Sequence, residues 1–138
     1  MRKVIIVLLF FSLFFNIYAE DKKIYEVINA IAKVESGHNP KARNGIYVGL
    51  LQISPACLRD CNSILKEKGD TLQFKLSDRY DPEKSKQMFI LYQEKYNPNF
   101  DIEKAIRIWN GGPGYSVSKT NRYLAAVKRH LKNDSITI

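Results

Sequence analysis

The sequence predicts an all-α domain of about five helices with at most a minimal β-hairpin. Two observations carry this. Apolar residues recur at helical spacing in five separate segments, and most of these segments are bounded by a capping residue, a proline or a glycine. No segment shows the sustained period-2 alternation of a half-buried strand.

The first helix runs from about Ile24 to Glu35 or Ser36, with Gly37 as its stop. At about 100° per residue, Ile24, Ile28 and Ile31 fall in one narrow arc flanked by Val27 and Val34. Glu35 falls inside that arc. A carboxyl there faces the interior or a cleft wall, where burial disfavours its charged form and raises its pKa. A carboxylic acid still protonated near neutral pH can serve as a general acid. The plain alternative is a surface Glu in a frayed last turn.

Asn39-Pro40 then forces an extended or turn conformation. The segment Lys41 to Val48 holds the turn pair Asn44-Gly45 and could close a small irregular hairpin. Ser54-Pro55 reads as N-cap and first residue of a helix reaching about Lys68, where Gly69 ends it. Cys57, Leu58, Cys61, Ile64 and Leu65 share one face, so the cysteines read as small core residues first and a bridge second. Their i, i+4 spacing is awkward for a disulfide. Asp70 to Tyr80 reads as loop. Asp81-Pro82-Glu83 opens the next helix, with Met88, Phe89, Tyr92 and Tyr96 on one face until Asn97-Pro98. Asp101 caps a shorter helix from Ile102 to about Trp109. Asn110-Gly111-Gly112-Pro113-Gly114 is a sharp turn, and the last helix starts near Thr120 with Tyr123, Val127 and Leu131 inward. The tail after Asn133 reads as loose.

The 138 residues open like a secretory leader. Arg2-Lys3 is a basic start, Val4 to Phe15 an apolar run, and Asn16-Ile17-Tyr18-Ala19 ends in a small residue. Residues 1–19 are therefore expected to be a signal peptide and residues 20–138 one domain. The run is short for a membrane span, which needs about 20 apolar residues; an uncleaved anchor is the alternative. No cysteine near its end suggests a lipid anchor. The expected location is across the inner membrane, in the periplasm or at the cell wall. Cleavage removes Arg2 and Lys3 and no acid, so the formal charge falls from +8 to +6. A secreted basic domain suits an anionic polymer: cell wall, anionic lipid or nucleic acid. The cations are dispersed, which argues against a nucleic-acid binder. Two cysteines and two distant histidines, His38 and His130, fall short of a metal site, so no metal and no cofactor are expected.

Three polar groups interrupt the helical pattern: Glu35-Ser36; Gly49-Leu50-Leu51-Gln52, an amide among aliphatics; and Trp109-Asn110-Gly111-Gly112-Pro113-Gly114-Tyr115, an aromatic and an amide on a tight backbone. Carbohydrate sites combine flat aromatic faces, amides and carboxylates. Each piece alone is weak, since Gly-rich turns are usually only turns and a Gln in an apolar stretch is usually structural.

Taken in order, the three pieces resemble the lytic transglycosylases of the soluble-lytic-transglycosylase domain, a branch of the lysozyme-like fold. The family pattern opens with Glu-Ser at a helix end and Asn-Pro soon after, as in Glu35-Ser36 and Asn39-Pro40. Gly-Leu-Met-Gln is matched by Gly49-Leu50-Leu51-Gln52, followed by Pro55. Ala-Tyr-Asn-Ala-Gly-Pro-Gly is matched by Ile108 to Gly114, and Glu-Thr-x-x-Tyr-Val by Lys119-Thr120-x-x-Tyr123-Leu124. The resemblance covers roughly Ile24 to Leu131. Trp109 replaces the usual Tyr, Lys119 replaces a Glu, and Arg43 and Asn44 stand where the family has a Ser.

The resemblance implies cleavage of the bond between N-acetylmuramic acid and N-acetylglucosamine in peptidoglycan, leaving a 1,6-anhydro end. It implies Glu35 as catalytic acid and then base, and Ser36, Gln52, Trp109, Asn110 and Tyr123 as substrate-binding residues. One carboxylate suffices for this route, where most glycosidases need two, and no second acid lies in the matched motifs. One rival is a hydrolytic muramidase of the same fold, assisted by Asp78 or Asp81. Another is a non-catalytic wall-binding or assembly factor. The expected partner is the glycan strand, with a secretion, conjugation or phage assembly as a further possibility.

Overall fold

The structure, a computed structural model, describes residues 21–131. The expected leader and the expected loose tail lie outside these residues. Helix α1 spans residues 21–36. A two-stranded antiparallel sheet follows, β1 (Arg43–Asn44) and β2 (Tyr47–Val48), with Asn44 opposite Tyr47. Then come α2 (Pro55–Glu67), a 3-10 turn (Leu76–Tyr80), α3 (Pro82–Tyr96), α4 (Ile102–Gly111) and α5 (Val117–Lys128). The all-α expectation with a token hairpin holds. Among the described residues, no helix is long and apolar enough to cross a membrane.

α1 supplies the middle of the core. Val27, Ile28 and Ile31 are fully buried, together with Leu51, Ile53, Phe89, Met88 and Ile106 from the surrounding elements. Burying a side chain of this size contributes roughly 1.5–3 kcal/mol, so the apolar arc of α1 fixes which way Glu35 faces. The helix stops at Gly37, with φ +60° and the Gly37 N–H donating back to the Lys33 carbonyl at 3.1 Å. That closure is a glycine-type helix stop. α2 packs on α3, and α4 packs on α5. Ser54 caps α2 by accepting from the Cys57 N–H, Asp81 caps α3 by accepting from Glu83 and Lys84, and Asp101 caps α4 by accepting from Lys104.

Three boundaries differ from the sequence expectation. The 70–80 loop contains a 3-10 turn, because Arg79 is buried there. Its guanidinium donates to the carbonyls of Leu76, Ile46 and Ile53, all within 3.0 Å, and so ties the hairpin to the 3-10 turn. α4 runs two residues past Trp109 to Gly111, and α5 starts at Val117 rather than Thr120. α4 ends where Gly112 turns at φ +76° with its N–H on the Ile108 carbonyl, and the earlier start of α5 is held by Arg107, buried on α4. One of its terminal nitrogens reaches the Val117 carbonyl, the Thr120 hydroxyl and the Asn121 side chain, while Nε and the other nitrogen bind Glu103. This gathers the first turn of α5 onto α4 and leaves only a short connection between them.

The cysteines pack as expected: Cys61 is buried in the core, Cys57 packs against it half-buried and borders the open cleft described below, and both are free thiols.

Candidate active site

The last turn of α1, the sheet, the turn after it, the first half of α2 and the end of α4 enclose an open cleft of about 620 Å³. Glu35 lies on its wall. The helix face that buries Ile28 and Ile31 carries Glu35 inward, and Gly37 turns the chain away one residue beyond Ser36. The Tyr123 hydroxyl, from α5, donates to Glu35 Oε1 at 2.6 Å. Burial pushes the Glu35 carboxyl above the usual carboxylate range, and the Tyr123 bond offsets part of that rise. Burial, followed by the neighbouring Glu35 charge, pushes the Tyr123 phenol far above its ordinary range, so it remains an O–H donor. The result is a carboxyl whose charged form is disfavoured by burial, with one oxygen held by Tyr123.

The segment Gly49–Gln52 is the second wall. Gly49 has φ +82°, and a Cβ there would sit 1.8 Å from the Arg79 carbonyl oxygen, so only glycine fits. Gln52 is itself left-handed at φ +51°, a conformation that costs about 1 kcal/mol or more in a non-glycine residue. Its amide NH2 donates to the carbonyls of Gly49 at 2.9 Å and Ala42 at 3.3 Å. Both neighbours are acceptors, which fixes the amide's orientation. Oε1 accepts no hydrogen bond from the described residues, and Gln52 lines the cleft.

Trp109 and Asn110 form the third wall at the end of α4. The Trp109 indole N–H donates to the Leu51 carbonyl at 3.1 Å, and its ring packs on Phe89 at 4.9 Å and edge-on to Tyr92 at 6.1 Å. With its donor occupied, the ring offers the cleft an apolar face. The exposed Asn110 amide makes no hydrogen bond with the described residues. Ser36 is placed differently: its hydroxyl donates to the Leu50 carbonyl at 2.7 Å, with the Ala32 carbonyl at 3.2 Å. It anchors the Gly49–Gln52 turn to the end of α1 and does not line the cleft. Tyr123 reaches the site through Glu35. Thr120 is buried under the Arg107 guanidinium, and Lys119 is exposed away from the cleft lining.

Sequence reasoning missed several lining residues. Asn44 and Tyr47, the cross-strand pair of the sheet, form one rim. Asp60 places a second carboxylate in the cleft, where the Tyr96 hydroxyl donates to its Oδ2 at 2.9 Å. The spacing Ser54, Cys57, Asp60 puts these three on one stripe of α2, and that stripe was the available signal. Asp78 and Asp81, the acids named for a hydrolytic rival, are occupied elsewhere. Asp78 accepts from the Lys75 N–H and from Lys84, and Asp81 caps α3.

A central helix that delivers a half-buried carboxyl to an open cleft, framed by four further helices and one small hairpin, defines a protein of the lysozyme-like class. The family model described as the transglycosylase SLT domain matches residues 13–133, and the chain belongs to that family of lytic transglycosylases. The match begins inside the expected leader. The fold is similar to the crystal structure of the 70 kDa soluble lytic transglycosylase from Escherichia coli, with a TM-score of 0.53 and 21% identity. That alignment covers 80% of this chain and 17% of the larger protein. At this identity the likeness is one of fold. No curated protein matches the sequence.

Proposed function

We propose that the domain is a peptidoglycan lytic transglycosylase that cuts between N-acetylmuramic acid and N-acetylglucosamine, with Glu35 as the single catalytic carboxyl. The observation that carries this is Glu35 on the cleft wall, held by the Tyr123 hydroxyl, in a chain of the transglycosylase family. Glu35, whose burial favours the protonated form, gives its proton to the glycosidic oxygen as the bond to C1 breaks. The carboxylate so formed takes the proton of the muramic 6-hydroxyl as that oxygen bonds to C1. The new chain end is a 1,6-anhydro sugar, no water is consumed, and Glu35 is protonated again. Tyr123 holds Oε1 throughout and stabilises the intermediate carboxylate. Gln52 Oε1 and the Asn110 amide supply polar contacts, and Trp109 an apolar face for a sugar ring. Ser36 positions the Gln52 turn.

Hydrolysis is the second reading, and Asp60 favours it, since a second carboxylate in the cleft could activate a water. Export to the periplasm or wall is proposed from residues 1–19, and service to a secretion, conjugation or phage assembly would follow from such a location. The test of the catalytic claim is digestion of purified peptidoglycan: Glu35→Gln should abolish solubilisation, and retained digestion would exclude Glu35 as the acid.

A further inference from the structure

The charge of the cleft is opposite to that of the chain. The sequence carries 22 Lys and Arg, yet the cleft lining contains none of them and holds two carboxyl groups, Glu35 and Asp60. Burial disfavours the charged form of Glu35. Asp60 is less enclosed. It sits on α2, partly exposed, with Oδ2 held from behind by the Tyr96 hydroxyl at 2.9 Å. Tyr96 is pushed up to about 12, first by burial and then by its bond to Asp60, so it stays a donor. Oδ1 accepts no hydrogen bond from the described residues. Tyr96 packs edge-on against Tyr92 at 4.8 Å, and Tyr92 edge-on against Trp109. Tyr92 and Trp109 both line the cleft. An anchored carboxylate at the end of an aromatic strip is the chemistry that recognises a cation: the carboxylate accepts charged N–H bonds, and the ring faces attract positive charge. The same carboxylate repels an uncapped acidic sugar.

We propose that Asp60 makes the α2 end of the cleft a subsite for a hexosamine with a free, protonated amine, so that the domain prefers glycan strands in which glucosamine has lost its N-acetyl group. The inference rests on the cleft being a glycan site, as proposed above. Asp60 is a specificity residue here, and the bond-breaking step does not pass through it.

The experiment measures binding by calorimetry, using the Glu35→Gln protein so that nothing is cut. The probes are a glucosamine tetramer and an N-acetylglucosamine tetramer at one salt concentration and at a pH where the amine is charged. The glucosamine tetramer should bind about tenfold more tightly, the low end of what a charge-assisted hydrogen bond supplies in a partly open groove. Adding Asp60→Asn should bring the ratio to about one, and Asp60→Glu should keep a preference for the amine. Equal or tighter binding of the N-acetylated tetramer, binding of neither, or a preference that survives in Asp60→Asn would each overturn the proposal. If Asp60→Asn does not fold, backbone amide shifts of the Glu35→Gln protein decide. Changes centred on residues 56–60 with the glucosamine tetramer alone support the subsite, and identical maps for both tetramers remove it. Binding needs no turnover, so a wall left uncut by the wild type would count against the proposed function only. A wall that is cut by a domain with no amine preference would count against this inference only.

Discussion

Tyr123→Phe removes one atom from the centre of the site. The lost hydroxyl donates to Glu35 Oε1 at 2.6 Å, a short bond to an ionisable acceptor. Such bonds contribute about 1.5–3 kcal/mol net. In the proposed reaction the bond is strongest when Glu35 is ionised, midway between giving up one proton and taking the next. Most of the loss therefore appears in the chemical step, and kcat should fall about 10- to 100-fold with KM little changed. The pH profile gives a second, independent readout. The Tyr123 bond lowers the Glu35 pKa while burial raises it, and burial is the larger cause. Without the phenol the opposing cause is gone, so the pKa rises further. Activity requires protonated Glu35 in the free enzyme, so the alkaline limb of kcat/KM should move to higher pH. The assay is turbidity loss of purified peptidoglycan from about pH 4 to pH 9, the range in which a carboxyl of raised pKa would titrate. Phe conserves the ring that packs in α5, so the fold is kept. An unchanged plateau rate, or an alkaline limb that moves to lower pH, would refute the reasoning.

Three further outcomes are expected. Because the folded state raises the Glu35 pKa, it binds more protons than the unfolded chain between the two pKa values, and stability falls as pH climbs through that window. Glu35→Gln should therefore melt above wild type at pH 7, with the gap closing as the pH falls below the ordinary carboxylate range; a constant gap would remove burial of the charge as its cause. Gly49→Ala combines φ +82° with a Cβ 1.8 Å from the Arg79 carbonyl oxygen, and should cost about 3 kcal/mol or more in urea unfolding; a loss under about 1 kcal/mol would mean the turn has slack. In the native protein iodoacetamide should label Cys57 in the cleft and spare buried Cys61, with both labelling in denaturant; equal native labelling would contradict the placement of α2.

Local chemistry made much of this molecule legible. The apolar arc of α1, the Gly37 stop, the Ser54-Pro55 start and the Asp81 and Asp101 caps each act within a few residues, and each stands where the sequence puts it. Glu35, Gln52, Trp109 and Asn110 converge on one cleft for the same reason, since each ends or turns an element. What was hidden is long-range. Nothing local singles out Arg79 and Arg107 among the cations, yet both are buried and bonded to acceptors on other elements. The Ile46 carbonyl is 33 residues from Arg79. Arg107 moves the start of α5 three residues upstream by binding Val117, Thr120 and Asn121. Asp60 escaped because the apolar face of α2 was drawn through Cys57. The helix is rotated so that Cys57 borders the cleft, and this brings Asp60, three residues on, to the same opening. Ser36, expected to bind substrate, instead closes a backbone contact to Leu50.

The most direct test of the central claim is the mass of the products released from purified peptidoglycan by the wild-type domain. Muropeptides ending in 1,6-anhydro-N-acetylmuramic acid, each lighter by one water than the hydrolytic product, are expected from the wild type and none from Glu35→Gln. Reducing ends from the wild type, or anhydro ends that persist in Glu35→Gln, would contradict the claim.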